Sequence, residues 1–205
     1  MSRAVRKSSP DRAIITDKRE AILRAAIRVF ARKGYFNSKV ADIAAAAGIA
    51  DGTVYLYFKS KDEILRSIFD RAMAEFISEG RRELATIADP AEKLFRIAEL
   101  HLERLGADRD LAIVFQVELR GSIKFMQEFS AAGFGEYLDI IRKTIVEGQQ
   151  TGAFRDDVKP LVGAKVVYGA LDEMVTNWVL SQKSYPLAPV AREVMKMFFG
   201  GMLAK

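Results

Sequence analysis

Residues 38–61, SKVADIAAAAGIADGTVYLYFKSK, decide the fold. They read as a short helix over 39–46, a glycine turn, and a second helix over 51–57. Ala41, Ile43, Ala44, Ala45 and Ala47 give the first helix a small-residue surface that packs closely against a neighbour. Gly48 is free to take the left-handed backbone that a tight turn needs. In the second helix Val54 and Phe58, four apart, share one face, while Thr53, Tyr55 and Tyr57, followed by Lys59 and Lys61, occupy the other. A helix-turn-helix that exposes hydroxyls, aromatic rings and lysines on its second helix fits a DNA major groove. A plain αα-corner with a solvated face has the same topology, so the charge distribution has to decide.

That distribution is uneven. The chain has 205 residues and a formal net charge of +5. Residues 1–66 hold 14 Lys and Arg against 7 Asp and Glu, whereas the remainder holds 18 against 20. The whole surplus sits with the helix-turn-helix, as expected of a phosphate-binding module joined to a nearly neutral domain. Arg3, Arg6, Lys7 and Arg12 make residues 1–16 a basic, flexible arm, suited to reach along a DNA backbone or simply to solubilise.

Composition closes other classes. Half the residues are hydrophobic, yet no run approaches the ~20 apolar residues of a membrane span. No secretory signal is visible, because Ser8, Ser9, Asp11 and Arg12 stand where its apolar core belongs. The absence of cysteine excludes disulfides, thiolate metal sites and cysteine nucleophiles, and fits a reducing cytoplasm. A single histidine, His101, argues against histidine-based metal or catalytic clusters. There is no Gly-rich phosphate loop or Gly-x-Ser-x-Gly elbow, so catalytic residues, metal and cofactor are all expected to be absent.

Along the chain the pattern is all-α, with nine helices and no sustained period-2 alternation. Asp17 and Glu20 have capping-box spacing and open a first helix over about 18–33, with Leu23, Ala26, Ile27 and Phe30 on one face and Gly34 at its end. Ser60 and Glu63 open a long helix that would join the head to the rest; Asp89-Pro90 opens the next. Further helices follow over about 109–119, 123–151, 160–181 and 189–200, with Gly133 and Gly135 marking a bend or break in the second of these. The domains read as 17–60 for DNA binding and 61–205 for ligand binding and dimerisation.

The order of residues in the head closely resembles the DNA-binding domain of TetR-family bacterial repressors: Gly34-Tyr35, Val40-x-x-Ile43-Ala44, Ala47-Gly48-Ile49, Gly52-Thr53-Val54-Tyr55-x-Tyr57-Phe58 and Lys59-Ser60-Lys61-Asp62-Glu63-Ile64-Leu65. One departure is Ala50, where the family often has Ser or Thr; Asp51 is then the candidate cap. The resemblance implies DNA contacts from Ser38, Lys39, Asp51, Gly52, Thr53, Tyr55, Tyr57, Lys59 and Lys61. It also implies a homodimer built on the last two helices, with Val166, Gly169, Ala170, Val194 and Phe198 at the interface, on a near-palindromic operator.

The remainder is similar to the ligand domain of the FadR-type TetR repressors of fatty-acid degradation, which leave DNA when a long-chain acyl-CoA binds. The similarity runs through His101, residues 108–120 (DRDLAIVFQVELR), Tyr137-Leu138-x-Ile140, Glu147-Gly148-x-x-x-Gly152, Gly169-x-x-Asp172-Glu173 and Thr176-x-Trp178-Val179. Read for chemistry, an acyl chain needs an apolar tunnel and coenzyme phosphates need cations. Phe95, Phe115, Phe125, Phe129, Phe134, Tyr137 and Trp178 are candidate walls, with Leu119 beside them, although aromatics at helical spacing line cores more often than tunnels. Glu118, Arg120, Glu173 and Asn177 could form an internal network with His101 or touch ligand. Arg104, Arg109, Arg120 and Lys124 are candidate phosphate partners or ordinary surface charges. Two alternatives stay open at this point: a sensor of a drug or other apolar metabolite, and a ligand-independent architectural DNA-binding protein.

Overall fold

Three glycines with left-handed backbone close three of the helices: Gly34 at φ 77°, Gly48 at φ 69° and Gly152 at φ 74°. The computed structural model describes residues 10–118, 120, 121, 127, 133–181, 183 and 185–202. Leu119, Lys124, Phe125 and Phe129 lie outside them, as do residues 1–9 of the arm. The described residues form nine α-helices, one π-helical turn and no strand.

The first helix, α1 (Pro10–Lys33), starts well before the expected residue 18. Proline suits a first turn, where the missing N–H has no partner to lose. Asp17 and Glu20 therefore lie within the helix, and residues 10–16 of the expected arm are helical. Helix α2 (Val40–Ala47) ends as the sequence indicated: Gly48 N–H donates to the Ala45 carbonyl at 3.2 Å and Ile49 N–H to Ala44 at 3.0 Å, the paired bonds of a left-handed helix end. Helix α3 (Asp51–Tyr55) begins at the expected residue but is shorter than expected. Its cap is Ala50, whose carbonyl accepts from Thr53 N–H at 2.9 Å; Asp51 makes no cap and instead places its charge in the first turn. Helix α4 (Lys61–Leu84) follows, with Ser60 Oγ accepting from Glu63 N–H at 3.1 Å and the Glu63 carboxylate accepting from Lys59 N–H at 2.7 Å.

The chain divides into two compact units, Met1–Ile68 and Phe69–Lys205, so the boundary falls inside α4 rather than at residue 60. In the first unit Ile22, Leu23, Ala26, Phe30, Ile43, Val54, Phe58, Ile64 and Leu65 are buried together. Full burial of an aliphatic or phenyl side chain contributes about 1.5–3 kcal/mol, so Val54 and Phe58 hold α3 in place despite its five residues. The Arg19 guanidinium covers the Phe58 ring at 4.9 Å.

The second unit adds α5 (Pro90–Ala107), α6 (Arg109–Ile113), the π-helical turn Val114–Glu118, α7 (Gly133–Gln150), α8 (Pro160–Leu180) and α9 (Val190–Met202). Asp89 caps α5, accepting from Ala91 N–H at 2.6 Å and Glu92 N–H at 3.1 Å, and Asp108 caps α6 through Leu111 N–H at 3.0 Å. Helix α7 runs along α8, α5 packs on both, and α9 covers α5 and α8. Their shared core holds Leu94, Ile97, Leu102, Ile141, Ile145, Val167, Leu171, Val175 and Met195. Two close approaches demand glycine: a Cβ at Gly148 would stand 2.0 Å from the Phe154 ring, and one at Gly133 would stand 2.7 Å from Met73 Cβ.

Within this apolar core lies His101, 6% exposed. Burial penalises its imidazolium and holds its pKa down to about 4, although the Asp172 carboxylate pulls the other way. In the unfolded chain the same group titrates near 6.5. Between those values only the unfolded state takes up the proton, so stability is intact above about pH 6.5 and is lost as the pH falls towards 4, by roughly 3 kcal/mol in all. Urea titrations at pH 7 and pH 5 are expected to show a loss about 2 kcal/mol larger for the wild type than for H101Q, which lacks the titrating ring.

Candidate functional site

The outer surface of the first unit is built around α3. With Val54 and Phe58 buried, Tyr55 is 56% exposed and Leu56 81%, while Thr53 and Tyr57 are half-buried and Asp51, Gly52, Lys39 and Lys59 are exposed. Leu56 and Phe36, the latter 66% exposed, are large apolar residues on this unit that the sequence reading did not single out. Two expected contacts have other work in this structure. Ser38 is buried, and its Oγ donates to the Gly34 carbonyl at 2.6 Å. Lys61 donates its ammonium to the carbonyls of Tyr35 at 2.6 Å and Ser38 at 2.8 Å, and lies 4.2 Å from the Tyr35 ring centroid. The Tyr35 hydroxyl donates to Asp62; burial foremost, then that carboxylate, raises the phenol pKa above its ordinary value. Ser38 and Lys61, both expected to contact DNA, thus tie the α1–α2 connection to the start of α4.

The second unit encloses a cluster of a different kind. His101 of α5 stacks on Tyr137 of α7, ring centroids 5.8 Å apart and planes 21° from parallel, with Nδ1 3.1 Å from the Tyr137 hydroxyl. Phe76 of α4 and Tyr168 of α8 meet the His101 ring edge-on at 5.9 and 6.1 Å, and Phe134 meets Tyr168 at 4.7 Å. Beside these rings Asp172 of α8 is a buried carboxylate. Its Oδ1 accepts from the Tyr168 hydroxyl and from Gln116 Nε2, both at 3.0 Å, and its Oδ2 accepts from the Arg120 guanidinium. Thr176 Oγ1 donates to Gln116 Oε1 at 3.0 Å, so the amide is satisfied at both ends. Burial opposes the charge on Arg120, but Asp172 outweighs it and raises the guanidinium pKa. For Tyr137 and Tyr168 burial acts first and Asp172 reinforces it, so both phenols stay protonated. Gln116 reaches this position from a π-helical turn, a local geometry frequent at functional sites.

His101, Tyr137 and Arg120 are brought into or beside this cluster, while Phe115 packs edge-on against Phe69 at 4.7 Å. Glu118 is buried on the π-helical turn. Other expected ligand residues are placed elsewhere. Glu173 and Asn177 are exposed and bonded to each other on the outer face of α8, which corrects their assignment to an internal network. Arg104 pairs with Glu79 at the surface. Arg109 donates to the carbonyls of Val179 and Ser181 and covers Trp178 at 4.8 Å, and Trp178 Nε1 donates to the Tyr185 carbonyl at 2.9 Å, so both pin the connection after α8. Phe95 lies under the Arg192 guanidinium at 5.3 Å. The residues that the sequence reading missed are Gln116, Tyr168, Asp172, Thr176 and Phe76. Tyr168, Asp172 and Thr176 recur every four residues among buried apolar positions of α8, and that polar stripe was the available signal.

A further face runs along α8 and α9. Leu161, Val162, Val166 and Leu180 are about half exposed or more, and nothing stands within 4 Å of where a Gly169 Cβ would be. Ala170 is half-buried. Val194 and Phe198 turn partly inward against the core of their own unit, and among the described side chains of α9 Met197 is the large apolar residue left outside, 84% exposed. No helix among the described residues is long and apolar enough to cross a membrane.

Comparison with known proteins assigns both units. Residues 22–68 match the family of bacterial regulatory proteins named for tetR, and residues 69–201 match the family described as YsiA-like protein, C-terminal region. The fatty acid metabolism regulator protein of Bacillus subtilis is 36% identical over 182 residues, 88% of this chain and 93% of its own. The fatty acid degradation regulator FadR of Bacillus halodurans superposes with a TM-score of 0.86 at 35% identity, covering 96% of this chain and 98% of the other. FadR of Bacillus subtilis, solved in complex with stearoyl-CoA, gives 0.84 at 35% identity, covering 89% and 98%. These relatives are DNA-binding regulators rather than enzymes, and this chain belongs with them to the TetR family of bacterial transcription regulators.

Proposed function

We propose that the protein is a repressor released from its operator by a long-chain acyl-CoA, and so controls fatty-acid degradation. The observation that carries this reading is the aromatic-walled cluster of His101, Tyr137, Tyr168 and Asp172 inside a domain that matches, over most of its length, a regulator solved with stearoyl-CoA. The rings Phe76, Phe134, Tyr137 and Tyr168 offer apolar surface to an acyl chain, and polar groups beside them give its head somewhere to turn polar. Release follows from linkage: a ligand that favours the state of lower operator affinity weakens DNA binding by the factor by which DNA weakens ligand binding.

The operator contacts proposed are Lys39, Thr53, Tyr55, Tyr57 and Lys59, with Asp51 and Gly52 at the start of the recognition helix. Val166, Gly169 and Met197 form the centre of a two-fold interface that pairs two heads on successive major grooves of a near-palindromic site. About half or more of Leu161, Val162, Val166 and Leu180 is left in water, an apolar exposure unusual on a monomer, and pairing this face with a second copy would remove it from water.

Three outcomes test this reading. In an operator-release titration with acyl-CoAs of about 12 to 18 carbons, each buried CH₂ contributes roughly 0.8 kcal/mol, so potency rises about fourfold per carbon until the chain no longer fits. Free CoA and the matching free fatty acid are weaker; a response flat in chain length would point to a sensor of another apolar metabolite. Lys59→Ala is expected to weaken binding to specific and non-specific DNA alike and to reduce the slope of log K against log salt by about 1, read by fluorescence anisotropy. Gly169→Glu is expected to convert a dimer to a monomer in sedimentation analysis, because a carboxylate would be desolvated without a partner.

A further inference from the structure

One buried polar atom in the second unit has no partner: His101 Nε2 makes no hydrogen bond among the described residues. The ring's other nitrogen fixes what that atom offers. Nδ1 lies 3.1 Å from the Tyr137 hydroxyl, for which no other acceptor is present among the described residues. If Nδ1 carried the proton, the tyrosine O–H and the bare Nε2 would both go unsatisfied. If the tyrosine donates to Nδ1 instead, only one group is left over, an Nε2–H donor. Fewer unmet groups in a buried site favours the second arrangement. The same burial keeps the ring neutral, so Nε2–H is a neutral donor, suited to a neutral acceptor and not selective for an anion.

A bare donor sealed in a core costs roughly 1–3 kcal/mol unless something meets it. Apolar chain carbons cannot, and the imidazole is flanked by rings, centroid to centroid: Phe76 edge-on at 5.9 Å, Tyr137 stacked at 5.8 Å, Tyr168 edge-on at 6.1 Å. Tyr168 in turn donates to Asp172, which also holds Arg120, a side chain 40% exposed. From Arg120 inward, the surroundings pass from charged and wet, through Asp172 and Tyr168, to the rings around His101. An acyl thioester changes character in the same sense, from phosphates and amides through one carbonyl to pure hydrocarbon.

Resting on the acyl-CoA reading above, we propose that His101 Nε2–H donates a hydrogen bond to the thioester carbonyl oxygen of the effector, and so fixes where its polar part ends and its chain begins. His101 is then the residue that makes the protein a reader of acyl thioesters and not of any long apolar chain. The carbonyl meets a donor that the described residues leave unmet, and a ligand lacking it leaves the core as unsatisfied as before.

The test compares palmitoyl-CoA with hexadecyl-CoA, the thioether of equal chain length in which CH₂ replaces the carbonyl, by isothermal titration calorimetry. Wild-type protein is expected to bind the thioester roughly tenfold more tightly, the worth of one buried hydrogen bond. His101→Phe, which keeps a ring and loses the donor, is expected to bind the two alike. His101→Gln, which restores an N–H at similar reach, is expected to recover most of the preference. Isotope-edited infrared spectra of the bound ¹³C-carbonyl thioester supply a measurement on the unaltered protein: the stretch moves to lower frequency than that of the ligand in hydrocarbon solvent. Equal wild-type affinity for thioester and thioether, an unshifted stretch, or a preference that survives in His101→Phe overturns the inference while leaving the acyl-CoA reading intact. Failure of both compounds to bind the wild-type protein overturns the acyl-CoA reading, and this inference with it.

Discussion

A carboxylate inside a helical bundle survives as a charge only if donors surround it, and the interior of the second unit is arranged around that requirement at Asp172. Removing such an ion from water costs several kcal/mol, and the cost is recovered only when each lone pair finds a donor in good geometry. Asp172 meets three: Tyr168 from its own helix, Gln116 from the π-helical turn, and Arg120 just beyond it. These bonds hold the π-helical turn to α8, and Thr176 closes the set by donating to Gln116. A regular α-helix through Val114–Glu118 would present different side chains to α8, so the wide turn is what brings Gln116 to the carboxylate. Burial keeps His101 neutral against the pull of Asp172, and burial together with Asp172 keeps the Tyr137 and Tyr168 phenols protonated, so three neutral rings share one site with the carboxylate.

The head was legible in the sequence because its instructions are local. Gly48 signals a left-handed helix end within one turn of the residues it caps, and Val54 with Phe58 declares a buried face four residues long. The start of α1 was misread because Asp17 and Glu20 sit three apart, a spacing that suits a capping box and the interior of a helix equally. The role of Lys61 was hidden for another reason. It depends on carbonyls 26 and 23 residues away, which no pattern along the chain reports.

In the second unit the presence of polar groups among apolar helices was legible and their wiring was not. His101, Tyr137 and Arg120 stood out as polar or aromatic groups within apolar helices, and they do lie in or beside one cluster. Glu118 and Glu173 were the carboxylates grouped with Arg120 in the sequence, whereas its guanidinium donates to Asp172, immediately before Glu173. A one-residue error in helical phase rotates a side chain by about 100°, enough to carry it from the core to solvent. Glu173 and Asn177 fall on the solvent side of that rotation, next to the exposed Gly169 face, and Asp172 on the inner side. The bonds that join the separate helices of the site span 36 to 60 residues, so composition could announce polar groups in a core without saying which ones meet.

On the effector reading proposed above, helix α4 is where effector binding and DNA binding would have a covalent connection. It contributes Ile64, Leu65 and Ile68 to the core of the first unit, and Met73 and Ile77 to that of the second, with Phe76 against His101 and Tyr137. Affinity for the effector does not by itself weaken DNA binding, because a ligand that binds two states equally shifts neither. A tenfold loss of operator affinity requires about 1.4 kcal/mol of difference between the two states in their contacts with the ligand. That difference has to arise where the ligand meets something that can change position, and Phe76 is a cluster residue carried by the helix that continues into the head. On that reading chain length and coupling are separable properties: apolar walls would set how tightly an acyl chain is held, whereas the fit against Phe76 would set how much of that energy reaches the DNA.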